Sequence, residues 1–419
     1  MTDYVPLTAD TLRARLGNVA AVTDRLGADT ATWQVREVGD GNLNLVFIVE
    51  SPDGALVVKQ ALPYVRLVGE SWPLPLKRTF FEYHALTRQA ARDPGRVPEV
   101  FHFDAAQALI VMRYLSPHVI LRKSIVAGVK HANLARDIGL YLARSLFRGS
   151  HLSLPAPQVR ADTALFCDNA ALCDITENLV FSDPYFKAAL NRHTPGLEPW
   201  IAKLRADRDM KVTAQAMKQA FVSKAETLVH GDLHSGSIMV TATDTQVIDP
   251  EFAVYGPFGF DVGMLLANFL LGFFAQSGHE VAPTARDGYR QFMLDVTRDT
   301  WTTFETEFTR LWRTERSGIL YQSSLFEDQG DVIAAEQALH AVLGGIWADA
   351  MGFCGVEMHR RILGLAHIED LEAIVDDGRR LVAERRALAM GRHLAVNRAT
   401  VTMAGLLALA ERIEAQDLS

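Results

Sequence analysis

Hydrophobic and polar positions follow two regimes along the chain. Up to about residue 115, short runs alternate apolar and polar residues. Beyond it, apolar positions recur at helical spacing. Leu7, Leu12, Leu16, Val19 and Val22 fall near one stripe and predict a helix over 7–26, with Thr8 or Asp10 as its cap. Trp33, Val35 and Val38 alternate with polar residues and open a β region over 32–59. Asp40-Gly41-Asn42 is a turn signal, 43–50 a second strand, Ser51-Pro52-Asp53-Gly54 a hairpin turn, and 56–60 a third strand. Residues 69–76, GESWPLPL, hold Pro73 and Pro75 and read as a rigid connector. A helix over 77–90 carries Glu82, and two further strands cover 97–103 and 108–114. Five antiparallel strands and one helix are complete by about residue 115.

The second regime predicts helices over 134–150, part of 172–185, and 199–223. Helices resume at Gly259 and run to the end, with breaks expected near Gly278, Gly318, Gly330 and Gly352. Between them, 228–261 alternates short apolar runs with polar loops: LVHGDLHSGSIMVTATDTQVIDPEFAVYGPFGFD. The predicted class is α+β and bilobal, a small antiparallel sheet lobe over 1–115 and a larger, mainly helical lobe over 116–419.

Composition narrows the function classes. The 419 residues are 49% hydrophobic, enough for a sizeable core and two lobes or domains. A net charge of −8 with no long basic run leaves nucleic-acid binding without an electrostatic footprint. Residues 262–276 form the most apolar long segment and are too short to span a membrane. The polar, acidic N-terminus lacks a basic region followed by an apolar one, so no signal peptide is expected. Three cysteines, Cys167, Cys173 and Cys354, argue against a disulfide framework and for a reducing cytoplasm.

The chemistry concentrates in 228–261. Asp249 and Glu251 follow the apolar pair Val247-Ile248 and flank Pro250. Two carboxylates at a buried strand end need a cation, a donor or a substrate proton. They make a hard-cation candidate, and magnesium takes a few carboxylates plus phosphate oxygens. Asp232, in His230-Gly231-Asp232-Leu233-His234, is then the candidate base. His230 and His234 are spaced as in a helical zinc site, but Gly231 and the flanking β pattern argue against a helix there. His230 reads better as a loop orienter, and Asp261 as a cap or brace. Gly39, Asp40, Gly41, Asn42 and Asn44 form a turn whose backbone amides could approach phosphates, or an ordinary hairpin. Lys59 at a strand end either snorkels into water or meets phosphate oxygens, with Glu82 holding it. Glu82 could equally pair with Arg78 on the helix surface. Arg360 and Arg361 are adjacent in an apolar helix and point about 100° apart, so one of them need not face solvent.

Glycine turn, lysine with glutamate, a loop aspartate and a carboxylate pair together make a phosphoryl-transfer set. Their order and spacing resemble the protein-kinase-like fold of small-molecule kinases such as choline and aminoglycoside kinases. Ser237 stands where such kinases usually have asparagine, and Asp249-Pro250-Glu251 stands where most have Asp-Phe-Gly. Both departures resemble the methylthioribose kinases, as do residues 59–76, 230–240, 248–263 and 360–370. The resemblance implies ATP-dependent phosphorylation of 5-methylthioribose at its anomeric 1-hydroxyl, in methionine salvage, by a homodimer. It implies Asp232 as base, Asp249 and Glu251 on magnesium, and Lys59 with Glu82 on the phosphates. The segment of Met112 and Tyr114 would hold adenine. Arg360 and Arg361 would sit near the sugar and the transferred phosphoryl group, and Gly69 to Trp72 would fold over the sugar site. Three rival readings are a kinase of another acceptor (choline, homoserine, an aminoglycoside or another sugar), a nucleotide-binding pseudokinase, and a metal-dependent hydrolase.

Overall fold

A computed structural model describes residues 4–39, 43–65 and 69–416. The first part holds helices α1 (Ala9–Leu16) and α2 (Ala20–Leu26), then strands β1 (Gln34–Glu37), β2 (Asn44–Ser51) and β3 (Gly54–Ala61). β4 (Tyr64–Val65), β5 (Gly69–Pro73), α3 (Arg78–Arg92), β6 (Val100–Asp104) and β7 (Leu109–Arg113) follow. The sheet is antiparallel and five-stranded in the order β1-β2-β3-β7-β6, the composition expected from the alternation. Its two faces separate with period two. Val58, Leu109 and Val111 pack with Trp33, Phe47 and the α1–α2 leucines. Val57, Ile110 and Met112 face the large helical core.

Two local expectations need correction. The single stripe over 7–26 is carried by two helices, because Gly17-Asn18 favours a break while Leu12, Leu16, Val22 and Leu26 still bury on one side. Thr8 is the cap, its hydroxyl accepting from the Thr11 amide at 3.2 Å. The supposed rigid connector is part strand: β5 pairs with β4 as a small hairpin, and Pro73 only ends it.

The second part begins with β8 (Val119–Ile120) and α4 (Leu121–Ala127). Next come α5 (Leu134–Arg148), α6 (Ala156–Cys167), α7 (Ala170–Leu179), α8 (Glu198–Ala206) and α9 (Arg208–Ser223). β9 (Thr227–Val229), β10 (Ile238–Val240), β11 (Thr245–Val247) and β12 (Val254–Gly256) make two small antiparallel sheets: β10 pairs with β11 and β8, and β12 with β9. The chain ends in α10 (Gly259–Ala275), α11 (Asp287–Thr314), α12 (Val332–Leu363), α13 (Glu369–Glu372), α14 (Asp377–Val396) and α15 (Met403–Glu414). The fold is α+β and bilobal, as the two regimes predict.

The helix breaks near Gly278, Gly318 and Gly330 occur, but Gly352 lies inside α12. A Cβ there would stand 2.1 Å from Met217 Sδ, so this glycine admits α9 against α12 instead of ending a helix. Gly355 does the same against α14, where a Cβ would lie 2.3 Å from the Gly391 carbonyl oxygen. Uninterrupted, α12 spans 32 residues and is long and apolar enough to cross a membrane by length and composition. It is instead a core helix: 61% of its most apolar window is buried, it packs on α10 and α14, and its last turns bury Glu357, Arg360 and Arg361.

Candidate active site

The site grows from the loop between β9 and β10. Gly231 has φ +89°, and a Cβ on it would sit 2.1 Å from the Phe252 carbonyl oxygen. Only glycine fits both demands. Asp261, in the first turn of α10, accepts from the His230 and Gly231 amides at 2.6 and 3.1 Å, and is the brace the sequence suggested. His230 Nδ1 accepts from the Asp232 amide at 3.3 Å, and its Nε2 donates to the Ile248 carbonyl at 2.9 Å. One imidazole thus ties the Asp232 loop to the strand end before Asp249. Ser237 braces the loop backbone, its hydroxyl donating to the Asp232 carbonyl at 3.1 Å.

Asp232 is held from two sides. Oδ1 lies 3.4 Å from an Arg361 nitrogen and 3.6 Å from one of Arg360, and Oδ2 lies 3.4 Å from His234 Nε2. Burial pushes this carboxyl upward, but His234 and the two guanidinium groups more than offset it and hold it well below the usual carboxylate range. Burial pushes His234 itself down to about 3, against the pull of Asp232 and with Arg122 adding to the shift. The ring is therefore neutral at pH 7, and the positive charge beside Asp232 is that of arginines.

Both arginines are buried, which fits the expectation that at most one need face solvent. The sequence reading missed the reason. Glu357, fully buried, accepts from Arg361 Nε at 2.5 Å and from Arg360 at 3.2 Å, using the i,i+4 and i,i+3 spacings of one helix. A glutamate at those offsets before a buried arginine pair was the signal available.

Lys59 ends the other half of the site. Its ammonium donates to Glu82 at 2.9 Å and also pairs with Asp249. Burial opposes the charge, but Asp249, Glu82 and Glu251 outweigh it and raise the lysine above its ordinary range. Asp249 has φ +68°, an uncommon backbone for a residue other than glycine and a local strain of a kind that gathers at functional sites. Glu251 is buried and accepts from Asn44 at 3.2 Å, with Arg78 Nε at 3.2 Å. Asn169 donates to the carbonyls of Glu251 and Ala253, at 2.9 and 3.1 Å. Arg78 is fully buried and pairs with Glu251 rather than with Glu82 on the helix surface. It also donates to the Leu62 carbonyl at 2.7 Å and to the Leu43 carbonyl.

The donor set suits a hard cation. Glu82, Asp249 and Glu251 offer carboxylate oxygens within 4.8 Å of one another. Burial raises Glu82 and Glu251, and the neighbouring carboxylates raise them further against Lys59. Three carboxylates gathered beside Lys59 and Arg78 make the all-oxygen donor set that a hard divalent cation takes.

The remaining predicted residues are placed as follows. Gly39 lies before β2 with no positive φ, and Asp40, Gly41 and Asn42 fall outside the described residues. Asn44 directs its amide to Glu251. Trp72 packs on a small apolar cluster of Val65, Leu74 and Leu172. Met112 is buried in the large core. Tyr114 lines a separate cavity of about 430 Å³ with Gly95, Glu99, Arg113 and Asp244, and that cavity includes none of Lys59, Asp232 or Asp249.

A model of the Phosphotransferase enzyme family matches residues 34–299. The chain is 42% identical over 389 residues to Methylthioribose kinase 1 of Oryza sativa subsp. japonica, covering 92% of this chain and 90% of that one. It is 43% identical over 397 residues to Methylthioribose kinase of Escherichia coli O45:K1 (strain S88 / ExPEC), covering 94% of each. With Methylthioribose kinase of Geobacillus kaustophilus (strain HTA426) it shares 40% over 405 residues, covering 95% of this chain and 94% of that one. With such relatives matched over nearly its whole length, the chain belongs to the methylthioribose kinase family of phosphotransferases.

Proposed function

We propose that this protein transfers the γ-phosphoryl group of ATP to the anomeric 1-hydroxyl of 5-methylthioribose, giving 5-methylthioribose 1-phosphate and ADP in methionine salvage. The observation that carries this reading is the setting of Asp232, an ionised carboxylate within 3.6 Å of two buried arginines. It lies one imidazole away from the loop of Lys59's partner Asp249.

Asp232 accepts the hydrogen bond of the attacking hydroxyl and orients it. Held low, it is a weak base, so it takes the proton as the new O–P bond forms and the bond to ADP breaks. Arg360 and Arg361 face charge on the transferred group and the sugar oxygens. Their positive charge also disfavours cationic acceptors such as choline. Lys59, fixed by Glu82, takes phosphate oxygens. Asp249 and Glu251 would hold magnesium, which supplies charge neutralisation on the phosphates when bound. Backbone groups near Met112 and Tyr114 receive adenine, and Trp72 shields the methylthio group. We further propose a cytoplasmic enzyme, in keeping with three unpaired cysteines, that acts as a homodimer.

The test is ADP release from magnesium-ATP with methylthioribose, ribose, choline, homoserine and kanamycin in parallel. Turnover confined to methylthioribose supports the proposal. Turnover on a different acceptor keeps the phosphotransferase and removes the assignment of the arginines and Trp72. ATP binding with no turnover on any acceptor sinks the enzyme reading. Light scattering of the purified protein decides the dimer.

A further inference from the structure

We infer that His234 is a positioning residue of this reaction: its Nε2–H fixes the carboxylate of Asp232, and the Gly236 amide together with Arg122 keeps that proton on Nε2. The inference rests on the proposed function for its kinetic meaning, but its geometry stands by itself. Two donors converge on His234 Nδ1, the Gly236 amide at 2.9 Å and an Arg122 nitrogen at 3.2 Å. A ring nitrogen that accepts twice carries no hydrogen, so the hydrogen of the neutral ring is on Nε2. Nε2 faces Asp232 Oδ2 at 3.4 Å.

Arg122 is itself held. Its Nε donates to Ser235 Oγ at 3.2 Å and lies 3.7 Å from buried Asp370 of α13. Ser235 in turn donates to Asn268 of α10 at 3.2 Å. The chain Asp370–Arg122–His234–Asp232 therefore runs from a helix beyond the arginine pair back to the acceptor carboxylate. The spacing of His230 and His234 resembles a helical zinc site, but among the described residues the one metal-competent group is Glu82, Asp249 and Glu251.

The arrangement has a definite task. Arg360 and Arg361 both approach Oδ1. Guanidinium groups prefer to grip a carboxylate through both oxygens. A carboxylate rotated fully onto the arginines would turn its free lone pairs away from a sugar hydroxyl. The imidazole N–H gives Oδ2 a competing partner and holds the plane of the carboxylate away from that grip.

The experiment compares wild type with His234→Leu, His234→Gln and Arg122→Met. Leucine removes the donor, whereas glutamine can present an N–H to Oδ2. We expect His234→Leu to lose about 10- to 100-fold in kcat with the KM for ATP within about twofold. His234→Gln should recover most of that loss at unchanged melting temperature. Equal loss in both variants, or wild-type kcat in a folded His234→Leu, would overturn the inference. Nitrogen-15 spectra of the ligand-free protein give the second reading, with the His234 signals assigned by their absence from His234→Gln. We expect a neutral ring protonated at Nε2 at pH 7, retained in Arg122→Met because the Gly236 amide still donates to Nδ1; an Nδ1–H ring in wild type overturns the inference. Wild type without methylthioribose turnover would defeat the proposed function, while these spectra would still decide the role of His234.

Discussion

The side-chain amide of Asn44 donates to both carboxylate oxygens of Glu251, at 3.3 and 3.2 Å, and so ties β2 of the small sheet to the acidic loop of the large lobe. Asn44→Leu removes one of the two side-chain supports of Glu251 and leaves Arg78. The expected result is a rise of roughly 10-fold in the magnesium concentration for half-maximal rate, the usual scale for losing a support behind a ligand. Glu251→Gln should raise it further. A magnesium titration of ADP release checks both, and an unchanged magnesium dependence in Glu251→Gln removes that residue from the metal site.

Asp232→Asn keeps the shape and removes the charge. ATP affinity should stay near wild type while turnover falls about 100- to 10,000-fold, the range of general base loss. Calorimetric ATP binding beside single-turnover kinetics measures the two separately. Wild-type turnover would end the assignment of Asp232.

The same residue carries a pH signature in stability. Its folded pKa lies below the unfolded value, so its ionised form stabilises the fold. That contribution is present in full above the unfolded value of about 3.9 and disappears as pH falls through the folded value. Urea titrations should therefore show Asp232→Asn less stable than wild type at pH 7, with the gap closing below about pH 4. A gap that persists or widens in acid would mean that the arginines do not favour the charged form.

Glu357→Leu leaves Arg360 and Arg361 buried with Asp232 as their remaining carboxylate partner. Breaking a buried ion pair from one side costs about 3–5 kcal/mol, and denaturant unfolding should show a loss of that size. Glu357→Gln keeps acceptors for the arginine donors and should lose less. Equal stability of wild type and Glu357→Leu would mean that the arginines find another partner.

Gly355→Ala tests the close approach of α12 and α14. A Cβ only 2.3 Å from a backbone oxygen cannot be accommodated by a rotamer change, so the helices must separate. A clear drop in melting temperature is expected, together with loss of activity, because Arg360 and Arg361 ride on the same helix. An unchanged melting temperature would show that the pair has room to slide.

Much of the site was legible because its residues sit at local discontinuities. Lys59 interrupts the apolar run of β3, Asp249 and Glu251 follow that of β11, and Gly231 forbids a helix between two histidines. Each announces itself within a few positions. What stayed hidden acts through long-range pairing. Asn44 meets Glu251 207 positions away, and Arg122 meets His234 112 positions away, with no local pattern to mark either. Gly352 misled for a related reason. A glycine that ends a helix and a glycine that lets another helix press against it look alike until the neighbour is known. Glu357 was within reach, since its offsets from Arg360 and Arg361 are those of a helix face.

The long helix α12 has a consequence for how this enzyme can change. Its final turn supplies Arg360 and Arg361, the proposed acceptor-side arginines, and the turns just before it are the strut against which α10 and α14 close. Any substitution that moves the arginines to suit a new sugar also disturbs the protein's largest core. The β4–β5 hairpin rests on only a small apolar cluster, so Trp72 and its neighbours can vary at little cost to folding. Under the proposed roles of Arg360, Arg361 and Trp72, drift in substrate range has one rigid wall and one soft one. Tolerance for new 5-substituents should evolve through the hairpin, while recognition at the anomeric end stays fixed by the architecture.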